Sequence, residues 1–344
     1  MTSSLPPLRE RVDPPARLDP PPAELGLHWR GLELADIPAL HVLFHRIEEH
    51  DSTPYRTALE ETHERYVADW HSEPTNVLGG FDPAGSLVAF AAVALSPTDT
   101  HTLRVHIEGG VDPAHRHRGI GTAMLDWELG RARQLLARSD RSVPARLVVH
   151  VEEGMPDSVH MLTTRGFQPR RYYTELRRDL ALPLPPVVLK RPLEIVPWSA
   201  ELDEQVRLAH NVAFAEHWVS EPQTAESWAQ GRTYFVPEWS FIVLDRTTDR
   251  AQVVGYLLSS KYEQDWPSLG WSEGYIDLLG VRPDWRGRGI ATALVSQALH
   301  AYATSGMQYA SLGVDTQEPG EVFGLYSKLE FEPTRGSTMY TIDL

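Results

Sequence analysis

The sequence predicts an α/β protein built as two copies of one unit, and three observations predict it. First, two segments 170 residues apart nearly repeat: Val111-Asp-Pro-Ala-His-Arg116-His-Arg118-Gly119-Ile-Gly121-Thr122 and Val281-Arg-Pro-Asp-Trp-Arg286-Gly-Arg288-Gly289-Ile-Ala291-Thr292. Second, strand-like apolar runs alternate with helix-periodic stretches in the same order in both halves, the pattern of α/β folds. Third, both halves finish alike, with Arg165-Gly-Phe167 matching Leu329-Glu-Phe331 and Asp179-Leu180 matching Asp343-Leu344. A chain of 344 residues has room for two domains of ordinary size.

Each element follows from its own residues. Positions 1–24 hold Pro6, Pro7, Pro14, Pro15, Pro20, Pro21 and Pro22 among charges and lack periodicity, which predicts a disordered or extended arm. The first unit, 25–180, opens with helical periodicity over Ile37–His50 and Thr57–Asp69. Strand Val77–Phe81 meets the turn signal Asp82-Pro-Ala-Gly85 and then strand Leu87–Leu95. Strand Thr102–Val111 runs into the motif helix Gly119–Leu136, and strand Arg146–Val151, helix Asp157–Thr164 and strand Tyr172–Arg178 close the unit. The proline-rich Ala181-Leu-Pro-Leu-Pro-Pro186 marks a linker over 181–192.

The second unit, 193–344, repeats the order. It has helices Ala200–Ala215 and Ala225–Gly231, then strands Trp239–Asp245, Ala251–Ser260 and Gly274–Val281. Motif helix Gly289–Ser305, strand Tyr309–Val314, helix Glu321–Lys328 and final strand Thr338–Asp343 complete it. The closing matches are 164 residues apart rather than 170, so the first copy carries six extra residues, placed in the loop Ala137–Pro144.

Composition narrows the function. No cysteine is present, which excludes disulfides, thiolate metal sites and cysteine nucleophiles. The longest apolar run, Leu87–Leu95, is nine residues, too short to span a bilayer, and the N-terminus lacks a signal-like apolar core; a cytoplasmic protein without membrane association is expected. A formal charge of −15 argues against nucleic acid and is compatible with a cationic substrate such as an amine. His41, His45 and Glu49 share a helix face, but with no third clear ligand that face reads as solvated and no metal is expected.

The repeated segment carries the chemistry. A strand, a tight turn rich in glycine and arginine, and a helix N-terminus present bare backbone N–H groups at the positive end of the helix dipole, an anion site. Neither copy has the Gly-x-x-x-x-Gly-Lys loop of nucleoside triphosphatases or the Gly-x-Gly-x-x-Gly dinucleotide fingerprint. What remains is Val-x-Pro-x-x-Arg-x-x-Gly-x-Gly/Ala, which resembles the acetyl-CoA-dependent N-acetyltransferases of the GNAT superfamily. The second copy adds Leu325-Tyr326-Ser-Lys-Leu329-Glu-Phe331, similar to that family's late Leu-Tyr-x-x-Leu-Gly-Phe signature. The whole resembles the tandem-domain actinobacterial branch of that superfamily. Two GNAT-like units are then expected, each a mixed central sheet flanked by helices.

The resemblance implies a site. Acetyl-CoA (coenzyme A) would rest its diphosphate on Arg286, Gly287, Arg288, Gly289, Ile290 and Ala291, with Thr292 adding a hydroxyl. Its pantetheine arm would pair with Leu279 and Val281 where that strand leaves its neighbour at a bulge, and Gly280 suits a bulge or a close backbone approach. Val111, Arg116, Arg118, Gly119, Gly121 and Thr122 are the first copy's counterparts. Tyr326 stands where the family places the acid that protonates the departing thiolate, whereas the first copy has Leu162 there and reads as degenerate. The family's usual strand glutamate falls on Tyr275, which leaves Glu273 and Asp277, on the same strand face, as alternative bases. His217-Trp218 borders the expected acceptor side.

The implied reaction is direct attack of a small-molecule primary amine on the thioester. A non-catalytic acetyl-CoA sensor or scaffold, and an acetyltransferase of protein or peptide amines, are the alternatives. The protein is expected as a monomer with pseudo-dimeric domains or as a homodimer.

Overall fold

The computed structural model describes residues 5–67, 74–96, 99–215, 221–247, 251–316 and 324–344. In chain order the elements are α1 (Leu8–Arg11), β1 (His28–Gly31), α2 (Ile37–His50), α3 (Leu59–Val67), β2 (Val77–Phe81), β3 (Leu87–Leu95), β4 (Leu103–Val111), α4 (Ile120–Leu136), β5 (Ala145–Glu152), α5 (Pro156–Thr163) and β6 (Gln168–Asp179). There follow β7 (Leu193–Pro197), α6 (Asp203–Ala213), α7 (Ala225–Ala229), β8 (Phe241–Asp245), β9 (Gln252–Ser260), α8 (Trp266–Leu269), β10 (Glu273–Val281), α9 (Ile290–Thr304), β11 (Tyr309–Thr316), α10 (Gly324–Lys328) and β12 (Glu332–Asp343).

The chain divides into two compact units, Met1–Arg171 with Ser337–Leu344, and Tyr172–Gly336. In the first, the strand order is β1-β2-β3-β4-β5-β12, antiparallel except for the parallel pair β4·β5. In the second it is β7-β8-β9-β10-β11-β6, again antiparallel except for β10·β11. Both units are thus mixed sheets flanked by helices.

The closing strands correct the sequence reading. Tyr172–Arg178 was expected to complete the first unit, but Tyr172–Asp179 pairs with Thr316–Tyr309 of the second. The chain's last strand, expected in the second unit, pairs through Ser337–Asp343 with Glu152–Arg146 of the first. The physical reason is the duplication itself. Each closing strand meets an equivalent fifth strand in either copy, and alternation of side chains fixes which face is buried, not which copy is the partner.

The arm is a second correction. Leu8 and Val12, one helical turn apart, are buried in the first unit's core. Leu8 N–H donates to Arg141 C=O at 3.0 Å, and Arg9 pairs with Asp140 at 2.7 Å. The extra loop of the first copy and helix α4, whose Gln134 Nε2 donates to Pro15 C=O at 3.0 Å, hold the arm, and the described part of 1–24 is ordered by packing that its proline content does not disclose.

Helix α9 is anchored to the sheet by one buried face. Ile290, Ala293, Leu294, Ala298, Leu299 and Tyr302 recur at helical spacing, are all buried, and pack on Val243, Val254, Leu257, Ile276, Ala310 and Leu312 of the sheet. Each fully buried aliphatic side chain there contributes about 1.5–3 kcal/mol relative to exposure. Among the described residues no helix is long and apolar enough to cross a membrane, and no group of three or more metal-ligating side chains converges.

Candidate active site

The second copy of the repeat builds an open anion-facing turn. Strand β10 ends at Val281, a 3-10 turn covers Pro283–Trp285, and α9 begins at Ile290. Gly287 and Gly289 take φ of +74° and +79°, the left-handed region that side chains resist, and a Cβ at either would meet nothing within 4 Å. The first intrahelical bond is Ala293 N–H to Gly289 C=O at 3.0 Å, so the N–H groups of Ile290, Ala291 and Thr292 precede the ladder and have no helical acceptor.

A cleft of about 740 Å³ opens on this turn, lined by Leu279, Gly280, Val281, Trp285, Arg286, Gly287, Gly289, Ile290, Ala291 and Thr292, with Ala213 and Phe214 from the end of α6 opposite. Arg286 is fixed by backbone carbonyls: Nη2 donates to Ala213 at 2.7 Å and Nε to Val281 at 3.3 Å. Among the described residues no carboxylate forms an ion pair with it. Arg288 lies outside the lining. Its guanidinium stacks on Trp285, 4.4 Å from the ring centroid, and Nη2 donates to Asp284 C=O at 3.1 Å.

Behind the turn the strands part. Parallel pairing of β10 with β11 runs from Glu273↔Tyr309 to Ile276↔Leu312 and stops, while β10 stays paired with β9 to Val281. The β9·β10 register shifts between Ile276 and Leu278, so the extra residue of the bulge is Asp277. Gly280 stays in the ladder opposite Tyr256 and serves a close approach instead: a Cβ there would fall 2.4 Å from the Tyr256 ring.

The polar groups near the parting are distinct in role. Glu273 Oε2 accepts from Trp271 Nε1 at 2.8 Å and Ser311 Oγ at 2.6 Å, a bracing arrangement. Asp277 Oδ1 accepts from Tyr262 Oη at 3.0 Å. Its carboxyl is reached by solvent, yet surrounding protein desolvates it and pushes its pKa up to about 6, opposed by hydrogen bonds from Ser260 and Tyr262. Tyr275 Oη donates to both carboxylate oxygens of Glu175 at 3.1 Å. Burial first, then the charges of Glu175 and Asp277, holds the Tyr275 phenol well above its ordinary value.

Tyr326, on α10, is half-buried, packs its ring 5.9 Å from Phe331, and is not among the cleft-lining residues; burial raises its pKa. His217 and Trp218 lie outside the described residues. Sequence reasoning missed Glu175, Tyr262 and the buried contact of His210 Nδ1 with Tyr256 Oη at 2.6 Å behind Gly280. Glu175 was hidden because its strand was assigned to the other unit. The His210–Tyr256 contact joins the last turns of α6, which wall the cleft, to β9, and burial lowers the His210 pKa to about 4, so the ring is neutral.

The first copy keeps the shape and loses the character. Gly119 retains φ +81°, but His117 occupies the Gly287 position with a positive φ of 60°. Arg116 donates to Val111 C=O at 3.0 Å and pairs with both carboxylate oxygens of Asp51 at 2.5 and 2.8 Å, which neutralises it. Met161 sulfur lies 3.6 Å and Val111 Cγ2 3.9 Å from a Cβ built on Gly121, and Leu25 Cδ2 lies 3.8 Å from one on Gly119. Arg118 donates to Ala114 C=O at 2.9 Å, and Thr122 is exposed. Strand β4 parts from β5 after His106↔Val148 without a register shift against β3, and Leu162 is buried in the core.

The family model described as Acetyltransferase (GNAT) family matches residues 44–167 and 204–331. A mycothiol acetyltransferase of Thermobifida fusca is 29% identical over 272 residues, covering 73% of this chain and 77% of that protein. One from Nocardia farcinica is 28% identical over 243 residues, covering 68% and 73%. Among solved structures, a GCN5-related N-acetyltransferase from Sphaerobacter thermophilus aligns with a TM-score of 0.70 at 22% identity over 92% of this chain and 95% of that one. A tandem GNAT protein from the clavulanic acid biosynthesis pathway aligns with a TM-score of 0.63 at 16% identity over 92% and 98%. At these identities the two structures are alike in fold.

Proposed function

The chain belongs to the acetyltransferase (GNAT) family and is an acetyl-CoA-dependent N-acyltransferase, from which we propose that its second unit acetylates the primary amine of a small molecule. The observation that carries this reading is the conjunction, in one cleft, of an N–H-lined turn with an arginine unpaired by carboxylate among the described residues and a strand parting directly behind it. The turn fits a diphosphate: glycines leave it bare, and Arg286 adds positive charge beside the helix N-terminus. Leu279 and Val281 offer the strand edge that β11 does not take, which suits an extended amide-bearing arm.

Acetyl-CoA supplies the activated acetyl group. Asp277, with its pKa raised to about 6, is ionised at neutral pH and a stronger base than an ordinary carboxylate; we assign it the proton lost by the amine. Glu273, bonded to Trp271 and Ser311, supports the strand instead. Tyr326 keeps its proton through neutral pH and is assigned as donor to the leaving sulfur. The small-molecule acceptor is supported by the relatives named as mycothiol acetyltransferases. The first unit, with Arg116 neutralised by Asp51, is assigned a supporting role with weak cofactor affinity at most. The test is thiol release from acetyl-CoA across primary amines, with tertiary amines as controls. Turnover confined to primary amines supports the reading, and none with any amine would refute it.

A further inference from the structure

The place where β10 leaves β11 holds a carboxylate that no part of the repeated motif supplies. Glu175 lies on β6 opposite Gly313 of β11. A Cβ built on Gly313 falls 2.9 Å from Glu175 Oε1 and 3.0 Å from Tyr275 Oη. The missing side chain therefore lets a β6 carboxylate reach over β11 to a β10 hydroxyl, the contact made at 3.1 Å. Gly313 is exposed and directly follows Leu312, the last β11 residue paired with β10. The Glu175–Tyr275 pair thus stands at the first open position between the strands, beside the bulge residue Asp277.

Aromatic rings continue the same surface. Tyr262 lies 5.7 Å from Tyr275 and 5.1 Å from Tyr234, ring centre to ring centre. Carboxylates and aromatic faces are the groups that attract an ammonium ion, the first by charge-assisted hydrogen bonds and the second through the ring quadrupole. The chain's formal charge of −15 acts in the same sense at longer range.

We propose that Glu175, oriented by Tyr275, holds the acceptor as an ammonium ion and makes the enzyme select cationic primary amines over neutral molecules of the same shape. This rests on the acetyltransferase reading above and adds to it a specificity residue from outside the repeated motif. In the balanced reaction R–NH3+ is held at Glu175 and gives one proton to Asp277. The nitrogen of R–NH2 then forms the C–N bond as the C–S bond breaks. The sulfur leaves with the bonding pair and takes a proton from Tyr326, and the remaining nitrogen proton passes to solvent. The products are R–NH–COCH3, coenzyme A thiol and one released proton, and the side chains regain their starting protonation from water.

The test uses the full chain, the fastest primary amine of the panel, and the alcohol of the same skeleton as a competitive inhibitor. Glu175→Gln is expected to raise the amine KM at least roughly tenfold, the scale of a lost hydrogen bond to a charged group, while the alcohol Ki and the acetyl-CoA KM stay within about twofold. Glu175→Asp should recover part of the loss. Gly313→Ala keeps both groups but wedges them apart, and should also raise the amine KM; it carries the test together with Tyr275→Phe if Glu175→Gln does not fold. An unchanged amine KM, or amine KM and alcohol Ki rising together, overturns the proposal as a sign of general distortion. Absence of wild-type turnover with every amine instead removes the acetyltransferase reading, and this proposal with it.

Discussion

Substitution of Gly289 separates backbone shape from electrostatics at the turn. Gly289 has φ +79°, and a Cβ there points into open space with nothing within 4 Å. Gly289→Ala therefore adds no clash and costs only the left-handed conformation, about 1–2 kcal/mol of stability. Gly289→Asp adds a carboxylate to the same strain. At about 5 Å from a phosphate charge and an effective dielectric near 20, repulsion is about 3 kcal/mol for each unit of charge. That weakens binding by at least about 100-fold. Calorimetric titration with coenzyme A, beside thermal melts of both variants, reads the two effects separately. The expected result is matched melting losses, with coenzyme A affinity at least about 100-fold lower for Gly289→Asp than for Gly289→Ala. Equal affinities in the two variants would refute the assignment of the diphosphate to this helix N-terminus.

Three further outcomes follow from the site. Asp277 is protonated below and ionised above about pH 6, so kcat/KM should rise through that pH, and Asp277→Asn should remove the acid limb of the pH–rate profile. Tyr326→Phe should lower kcat at least roughly tenfold with the acetyl-CoA KM held, since the general acid acts after binding; stopped-flow thiol detection checks both. Because Asp51 neutralises Arg116 and Arg286 has no such partner among the described residues, titration should count one tight coenzyme A site per chain, and Arg286→Ala should abolish it where Arg116→Ala does not.

Much of the fold is legible in the residues because local signals decide it. Strand β3 is a continuous apolar run, and α4 and α9 start at glycines whose left-handed φ ends the preceding turn. The short edge strands β1 and β7, four and five residues long, lack enough alternation to be seen. The exchange of β6 and β12 was not legible, since duplicated partners offer equivalent registers and only tertiary packing distinguishes them. The same ambiguity concealed Glu175. Within the site, the turn at Arg286–Thr292 follows from glycine and arginine spacing alone. Asp277 as the bulge residue does not, because a register shift depends on how β10 meets β9. Glu273 looked equivalent to Asp277 by alternation, and only Trp271 and Ser311 tell them apart.

The most direct measurement of the central claim is a crystal structure of the full chain grown with acetyl-CoA. It should show the diphosphate on the main-chain N–H groups of Gly289, Ile290 and Ala291 and the thioester between β10 and β11, close to Asp277. Cofactor bound only at the Gly119 turn, or the Gly289 turn closed by protein side chains, would contradict it.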